Sequence, residues 1–473
     1  VMAEGGINAA LNTKDENDSP EEHFTDTIKA ACGLADPNAV WGMTQAAPEL
    51  VHWLLKLGVK FNMSGYDDVD LRNFGGQKKK RTAFAQSDTG KQIMTAMIDA
   101  VRRKEASGMV ERFSHHSFLT LRLCGNICCG CVIRDEYSQE TVELPGDAVI
   151  VATGGMHGLF GNTTGSLSNT GEVTAELFRL GVPLANGEMI QYHPTTVKCG
   201  GKRMLISEAA RGEGGRLFAM KDGKQWYFME EKYPELGNLM PRDITAREIW
   251  KVSHESEVFL DMTEISEEII SNKLSGLADD CMTYLHKDIR KEPVSVLPGI
   301  HYFMGGILVD EQHRTPIQNL CAAGECCAQY HGANRLGGNS LLGALYGGRV
   351  AAKSACEQAD VVDLSCATQI DFPPASQISE IKQLNKVMQE TMGVVRNENT
   401  LLNGIQTVQA LTGNLPLLGM AVLKSALARK ESRGAHWRED YPKSNDDDYL
   451  KTTVARFDGK QIQISFVPVP ERR

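Results

Sequence analysis

The stretch Gly332-Ala-Asn-Arg-Leu-Gly-Gly-Asn-Ser-Leu-Leu-Gly343 constrains the fold more than any other part of the chain. It follows Ala322-Ala-Gly-Glu325 and leads into the small-residue run Ala344-Leu-Tyr-Gly-Gly-Arg349. A strand running into Gly324, a Gly- and Asn-rich loop and a helix starting near Ser340 build a cradle for an anion or a cofactor. Backbone N–H groups at the helix start carry partial positive charge, and the glycines let a planar ring approach the chain closely. Arg335, inside the loop, is a fixed cation whose planar fork can grip a carboxylate through two parallel hydrogen bonds. A Gly-rich loop alone is a weak signal, so its companions decide the reading.

Three further segments accompany it. Gln191-Tyr-His-Pro-Thr195 is followed by Ser207-Glu-Ala-Ala-Arg-Gly-Glu-Gly-Gly215, and then come Pro241-Arg-Asp243 and His301-Tyr-Phe-Met-Gly-Gly306. With Arg335 they supply two histidines, a hydroxyl and two arginines, a set able to surround a small dianion. Singly, each has a plainer reading. His193 fits a turn histidine, Arg242 before Asp243 fits an ion pair at a helix start, and Arg211 fits a partner of Glu213. Their joint occurrence in this order resembles the flavoprotein subunit of the succinate dehydrogenase/fumarate reductase family, whose nearest cousin is L-aspartate oxidase. The resemblance runs from the first residues to about Tyr441.

The resemblance implies an α/β fold: a Rossmann-like FAD-binding domain, an inserted α+β capping domain and a C-terminal helical domain. It divides the chain into residues 1–198 (first part of the FAD-binding domain), 199–296 (capping domain), 297–365 (second part), 370–440 (helical domain) and 441–473 (C-terminal segment). Similar proteins grip the FAD pyrophosphate with a strand and a G-x-G-x-x-G turn before the position of Val1. This sequence contains no such fingerprint, so a few dozen residues are expected upstream of Val1. The family's flavin-attaching histidine would lie there too, which leaves covalent attachment open. By resemblance, Gly5, Gly6, the strand end Val151-Ala-Thr-Gly-Gly155 (Ala152, Thr153, Gly154), Glu172, Glu325, Ser340 and Leu341 contact the cofactor. Glu172 stands where the motif usually carries Asp. Glu325 is the expected ribose or ribityl contact, and Ser340 and Leu341 the backbone donors to the flavin.

The implied chemistry is FAD-dependent interconversion of succinate and fumarate. Hydride passes between flavin N5 and one methylene carbon of the dicarboxylate, and a proton is exchanged at the adjacent carbon. His193 and Ser207 are expected at one carboxylate, His301 and Arg335 at the other. Ser207 replaces the usual threonine and keeps its hydroxyl. Arg242 is the expected proton donor, with Glu208 and Arg211 as its relay. Free guanidinium has a pKa above 12, so this role needs burial and neighbouring cations that favour the neutral form. L-Aspartate oxidase, the alternative, carries a glutamate before the corresponding Gly-Gly to recognise an ammonium. Here the loop reads Arg72-Asn-Phe-Gly-Gly76, and Phe74 can shield a dicarboxylate but cannot pair an ammonium. A catalytically dead, FAD-stabilised scaffold is the rival from another class, and the intact His193, Arg242, His301 and Arg335 speak against it.

The chain's net charge of −10 argues against nucleic acid as a partner, and means that a dianionic substrate needs a local positive pocket. No apolar run approaches the ~20 residues that span a bilayer. Membrane contact is therefore expected through partners: an iron–sulfur subunit, attached to a membrane anchor or a heterodisulfide-type module. The expected place is cytoplasmic, peripheral on the inner face of the membrane. The twelve cysteines lack zinc or iron–sulfur spacing, so reduced structural thiols and no metal site are expected. Cys124, Cys128, Cys129 and Cys131 fall in an alternating stretch that reads as a hairpin. Ser19-Pro-Glu-Glu22 predicts a capped helix to about Cys32, Asp36-Pro37 and Ala47-Pro48 predict two more ending at Gly58, and Ile378, Ile381, Leu384, Met388 and Met392 predict a core-facing helical stripe from Ser376. Asp446-Asp-Asp448 reads as a solvated turn. Between Thr407 and Leu418 the chain is expected to be shorter than its relatives.

Overall fold

A computed structural model describes residues 4–66, 68–166, 168–358, 372 and 377–473. The boundary expected between residues 365 and 370, and the helix start expected at Ser376, lie outside the described residues.

The predicted helix starts are built as the sequence demands. Ser19 caps the helix Pro20–Ala30, its hydroxyl accepting the Glu22 N–H at 3.2 Å. Asp36 caps Pro37–Leu57 in the same way, and Gly58 ends it with φ of 99°. Pro37–Leu57 is one helix, not the expected two, and Pro48 lies inside it. The buried stripe Met43, Ala47, Leu50, Val51, Leu54 runs straight through the proline, so continuous packing outweighs the backbone hydrogen bond that Pro48 cannot make.

The fold is α/β with several small sheets around the cavity. Strands Val149–Val151 and Leu320–Ala322 pair in parallel, the arrangement expected where a nucleotide fold passes from strand to ligand-facing loop. The hairpin His116–Cys124/Ile127–Asp135 packs beside them with Thr141–Pro145 at its edge. Strand Ile190–Cys199 is central in a sheet between Lys202–Leu205 and Leu297–Phe303, and it carries Gln191 and His193. A four-stranded antiparallel sheet, Lys224–Trp226, Arg216–Lys221, Val258–Asp261 and Val294–Ser295, has its own apolar core around Leu217, Leu260 and Ile249. Helices Ile378–Thr391, Glu398–Val408 and Asn414–Ala428 share a second core with Phe160 and Phe303. That core ties the helical region to the wall of the cavity.

Three local expectations are corrected. Ile378 is 74% exposed, because it sits in the first turn, ahead of the packed part of the stripe at Leu384, Met388 and Met392. Asp446–Tyr449 is a short helix capped by Asn445, and Asp446 pairs with Arg433 at 2.5 Å. Cys124 is disulfide-bonded, whereas Cys128, Cys129 and Cys131 in the same hairpin are free. Adjacent strand positions point to opposite faces, so the hairpin keeps these sulfurs from converging. Among the described residues no cluster of His, Cys, Asp or Glu has the arrangement of a metal site, and no helix is long and apolar enough to cross a membrane.

Candidate active site

A cavity of about 850 Å³ collects residues from the Gly-rich loop and from each of its three companion segments. Phe74, His193, Ser207, Glu208, Arg242, His301 and Arg335 line one part of it, and Gly5, Gly6, Glu325, Ser340 and Leu341 another. Arg211 stands one layer back, its Nη2 lying 3.4 Å from Glu208 Oε1 with no exposed side-chain surface. Ala152, Thr153, Gly154 and Glu172 are not brought to this cavity: Ala152, Thr153 and Glu172 are exposed, with Glu172 in the first turn of the helix Glu172–Arg179.

Local structure explains how the polar residues hold their positions. Ser207 caps the five-residue helix Glu208–Gly212, which puts Glu208 and Arg211 on one face at i and i+3. Arg242 opens the helix Arg242–Val252 directly after Pro241. Its Nε and Nη2 donate to Glu208 Oε2 at 2.8 and 2.5 Å, and its Nη1 donates to Gln191 Oε1 at 3.1 Å. Gln191 Oε1 also accepts from Arg335 Nε at 3.2 Å, so one amide oxygen holds the two arginines together. The Gln191 amide nitrogen in turn donates to Asn334 Oδ1 and to the Arg335 carbonyl, both at 2.9 Å. The Arg335 guanidinium lies over the Tyr302 ring, 4.4 Å from its centre.

Charge and burial set the protonation states. Burial pushes Glu208 up, but Arg242 and Arg211 outweigh it and hold the carboxyl below its ordinary range. Burial, reinforced by Arg242, brings Arg335 down to about 9. Burial and then Arg242 hold both His193 and His301 far below the ordinary imidazole value, so both rings are neutral at pH 7. His193 and His301 pack edge to face, with ring centres 5.1 Å apart. The Thr195 backbone N–H donates to His193 Nδ1 at 3.2 Å, with the Thr195 carbonyl oxygen also 3.1 Å away, and His193 Nε2 is buried without a partner among the described residues. A cluster of two buried arginines and two neutral imidazoles lining one cavity is complementary to a small dianion.

The other part of the cavity fits a flat cofactor. Gly338 has φ of 84°, and a Cβ there would lie 2.1 Å from Asn8 Oδ1, so only glycine serves. Asn8 itself ties the loop down, donating from Nδ2 to the Gly337 carbonyl at 2.7 Å and to Asn339 Oδ1 at 2.8 Å. The helix Asn339–Gln358 starts at this wall, where its first backbone N–H groups have no intrahelical acceptor. Glu325 is held by the Phe303 N–H at 3.0 Å and by His157 Nε2 at 3.5 Å.

Comparison with known proteins decides the family. The FAD binding domain profile matches residues 1–341, and the fumarate reductase flavoprotein C-terminal profile matches residues 411–472. The succinate dehydrogenase flavoprotein subunit of Bacillus subtilis is 37% identical over all of this chain and 91% of its own length. This chain belongs to the succinate dehydrogenase/fumarate reductase flavoprotein family. The 8-methylmenaquinol:fumarate reductase flavoprotein subunit of Wolinella succinogenes is 31% identical over all of this chain and 86% of its own length. FrdA of E. coli quinol fumarate reductase, in a mutant form, superimposes with a TM-score of 0.89 at 26% identity, covering 99% of this chain and 89% of that one. The flavoprotein is therefore an FAD-dependent oxidoreductase, and the glycine cradle, the helix start and the half-buried Glu325 carboxylate fit that cofactor.

Sequence reasoning missed Gln191, which grips both arginines, and Asn8, which braces the loop. Gln191 had a signal: it lies two residues from His193 on one strand, hence on the same face. Thr164 and His157, which also line the cavity, carried no signal of comparable strength.

Proposed function

We propose that this flavoprotein interconverts succinate and fumarate, with Arg242 transferring the proton. The observation that carries the reading is the position of Arg242. Its guanidinium lies in the cavity wall between Glu208 and Gln191, next to a second arginine and two neutral histidines. Bound FAD supplies a hydride acceptor and donor at N5. Arg335 and His301 hold one carboxylate of the substrate, and His193 and Ser207 the other, fixing the reacting carbons. Such positioning is worth about 7–11 kcal/mol in well-oriented reactions. Arg242 gives its proton to the substrate carbon and is reprotonated from solvent by way of the Glu208 carboxylate, which takes up a proton and passes it on to the neutral Arg242, with Arg211 held behind it. In the oxidising direction the same groups work in reverse.

Phe74, 2% exposed and lining the cavity, leaves an apolar surface where an aspartate oxidase would need an acceptor for ammonium. The cofactor contacts are assigned to Gly5, Gly6, Glu325, Ser340 and Leu341 on the same wall, and to Ala152, Thr153, Gly154 and Glu172 at the end of the parallel strand pair. The reading keeps the division into an FAD-binding domain (1–198 and 297–365), a capping domain (199–296), a helical domain (370–440) and a C-terminal segment (441–473); the apolar core around Leu217, Leu260 and Ile249 supports the capping part. The relatives are named as subunits, and this supports an assembly with an iron–sulfur subunit, held peripherally on the inner face of the membrane by an anchor or a heterodisulfide-type module.

Arg242→Lys tests the proton role. Turnover with fumarate should fall at least about 100-fold, the lower end for losing a general acid, while the dissociation constant for malonate, a non-reacting dicarboxylate, changes only a few-fold. Parallel loss of binding and turnover would reject the acid role.

A further inference from the structure

Two consecutive threonines on the loop after the parallel strands each meet a histidine ring nitrogen. Thr163 Oγ1 accepts the Gly165 N–H at 3.2 Å and lies 2.9 Å from His157 Nδ1. The other ring nitrogen, Nε2, lies 3.5 Å from Glu325 Oε1. Gly165 makes room for this, since a Cβ there would fall 2.3 Å from the His157 ring. The next residue repeats the contact on the other wall: Thr164 Oγ1 lies 2.8 Å from His301 Nδ1. Thr164 is 8% exposed, and its backbone N–H donates to the Ile300 carbonyl at 3.0 Å, which anchors the loop beside His301.

We infer that Thr164 is a positioning residue that presents His301 to the substrate as an Nε2–H donor. The inference rests on the dicarboxylate reading of the site. A neutral imidazole has one N–H and one lone pair, and which nitrogen carries the hydrogen depends on what the other one meets. Arg242 and Arg335 beside His301 oppose a doubly protonated ring, so the ring can donate to a carboxylate only in the right tautomer. With a carboxylate at Nε2, the Thr164 hydroxyl donates to Nδ1 and the ring hydrogen stays on Nε2. A side chain without that hydrogen leaves Nδ1 unpaired. Part of the His301 population then turns a lone pair toward the carboxylate, which is repelled. No residue other than Thr164 hydrogen-bonds the His301 ring among the described residues.

The test uses the flavin-loaded, fully assembled protein, with malonate as the probe in isothermal titration. Thr164→Val should weaken malonate binding about tenfold, the scale of one hydrogen bond to a charged group. Thr164→Ser, which keeps the hydroxyl, should restore affinity to within about twofold of the parent. The KM for fumarate should rise with the malonate constant while kcat falls less. Nitrogen-15 spectra of the malonate complex should show His301 protonated at Nε2 with a hydrogen-bonded Nδ1, and that Nδ1 signature should be lost in Thr164→Val alone. Unchanged malonate affinity in Thr164→Val, or equal loss in the serine variant, overturns the inference and leaves the dicarboxylate reading standing. Failure of the parent protein to bind malonate overturns the dicarboxylate reading and the inference with it.

Discussion

Replacing Glu208 by glutamine separates proton supply from substrate binding. The Glu208 carboxylate accepts two hydrogen bonds from Arg242, at 2.8 and 2.5 Å, and one from the Gly75 N–H at 3.2 Å, and it lies 3.4 Å from Arg211. Only 2% of it is exposed. Glutamine keeps the shape and one acceptor oxygen, but leaves two buried guanidiniums facing a neutral group. Breaking a buried ion pair by removing one partner costs about 3–5 kcal/mol, and the retained acceptor places Glu208→Gln at the lower end. Losing the relay should lower kcat by about 100-fold to 10,000-fold, the usual contribution of a positioned acid or base. Binding should move the other way. Arg242, no longer neutralised, offers the substrate a stronger field, so malonate affinity holds or tightens. The assay combines steady-state fumarate reduction, malonate titration and thermal unfolding of the same preparation. Unchanged turnover, or weaker binding in step with turnover, would refute the relay.

Two other predictions concern stability and loading. Burial leads in holding His23 and His331 down to about 3 and His193, His301 and His436 far below their ordinary value, so the folded chain keeps all five neutral as pH falls. The unfolded chain protonates them below about pH 6.5, so stability present above that pH is lost below it, by up to about 1.4 kcal/mol per histidine per pH unit. Glu4, raised by burial to about 8, works in the opposite sense, as do Asp18, Asp243 and Asp280, which burial also raises, while His313, lowered by burial, adds to the histidines. The urea midpoint at pH 5.5 should therefore lie below that at pH 7.5; a midpoint that rises or stays level contradicts the assignment. Gly338→Ala forces a left-handed conformation costing about 1–2 kcal/mol and a clash with Asn8, so the flavin-to-protein ratio of the purified protein should drop clearly, and a full complement of flavin would refute the cradle.

The parts of the site that sequence made legible are those where a residue type is forced. Gly338 needs its positive φ, Arg335 and Arg242 are the cations a dianion requires, and elsewhere in the fold Ser19 and Asp36 announce helix starts by their hydroxyl and carboxylate. What stayed hidden depends on which residues meet across the fold. Gln191 gains its role only because Arg242 and Arg335 converge on one amide oxygen, and Thr164 only because its loop folds back against His301. Pro48 misled for a related reason: a local breaker is read from the chain, whereas the apolar stripe that overrides it acts through tertiary packing. Ile378 erred in the same direction, since periodicity places a residue on a face but does not say where the packed part of that face begins.

The most direct measurement is anaerobic stopped-flow absorbance of the assembled flavoprotein, mixing the oxidised form with succinate, the reduced form with fumarate, and the oxidised form with L-aspartate. The account predicts flavin bleaching by succinate and reoxidation by fumarate, both abolished in Arg242→Lys, with no response to L-aspartate. Bleaching by L-aspartate, or flavin that ignores both dicarboxylates, would contradict it.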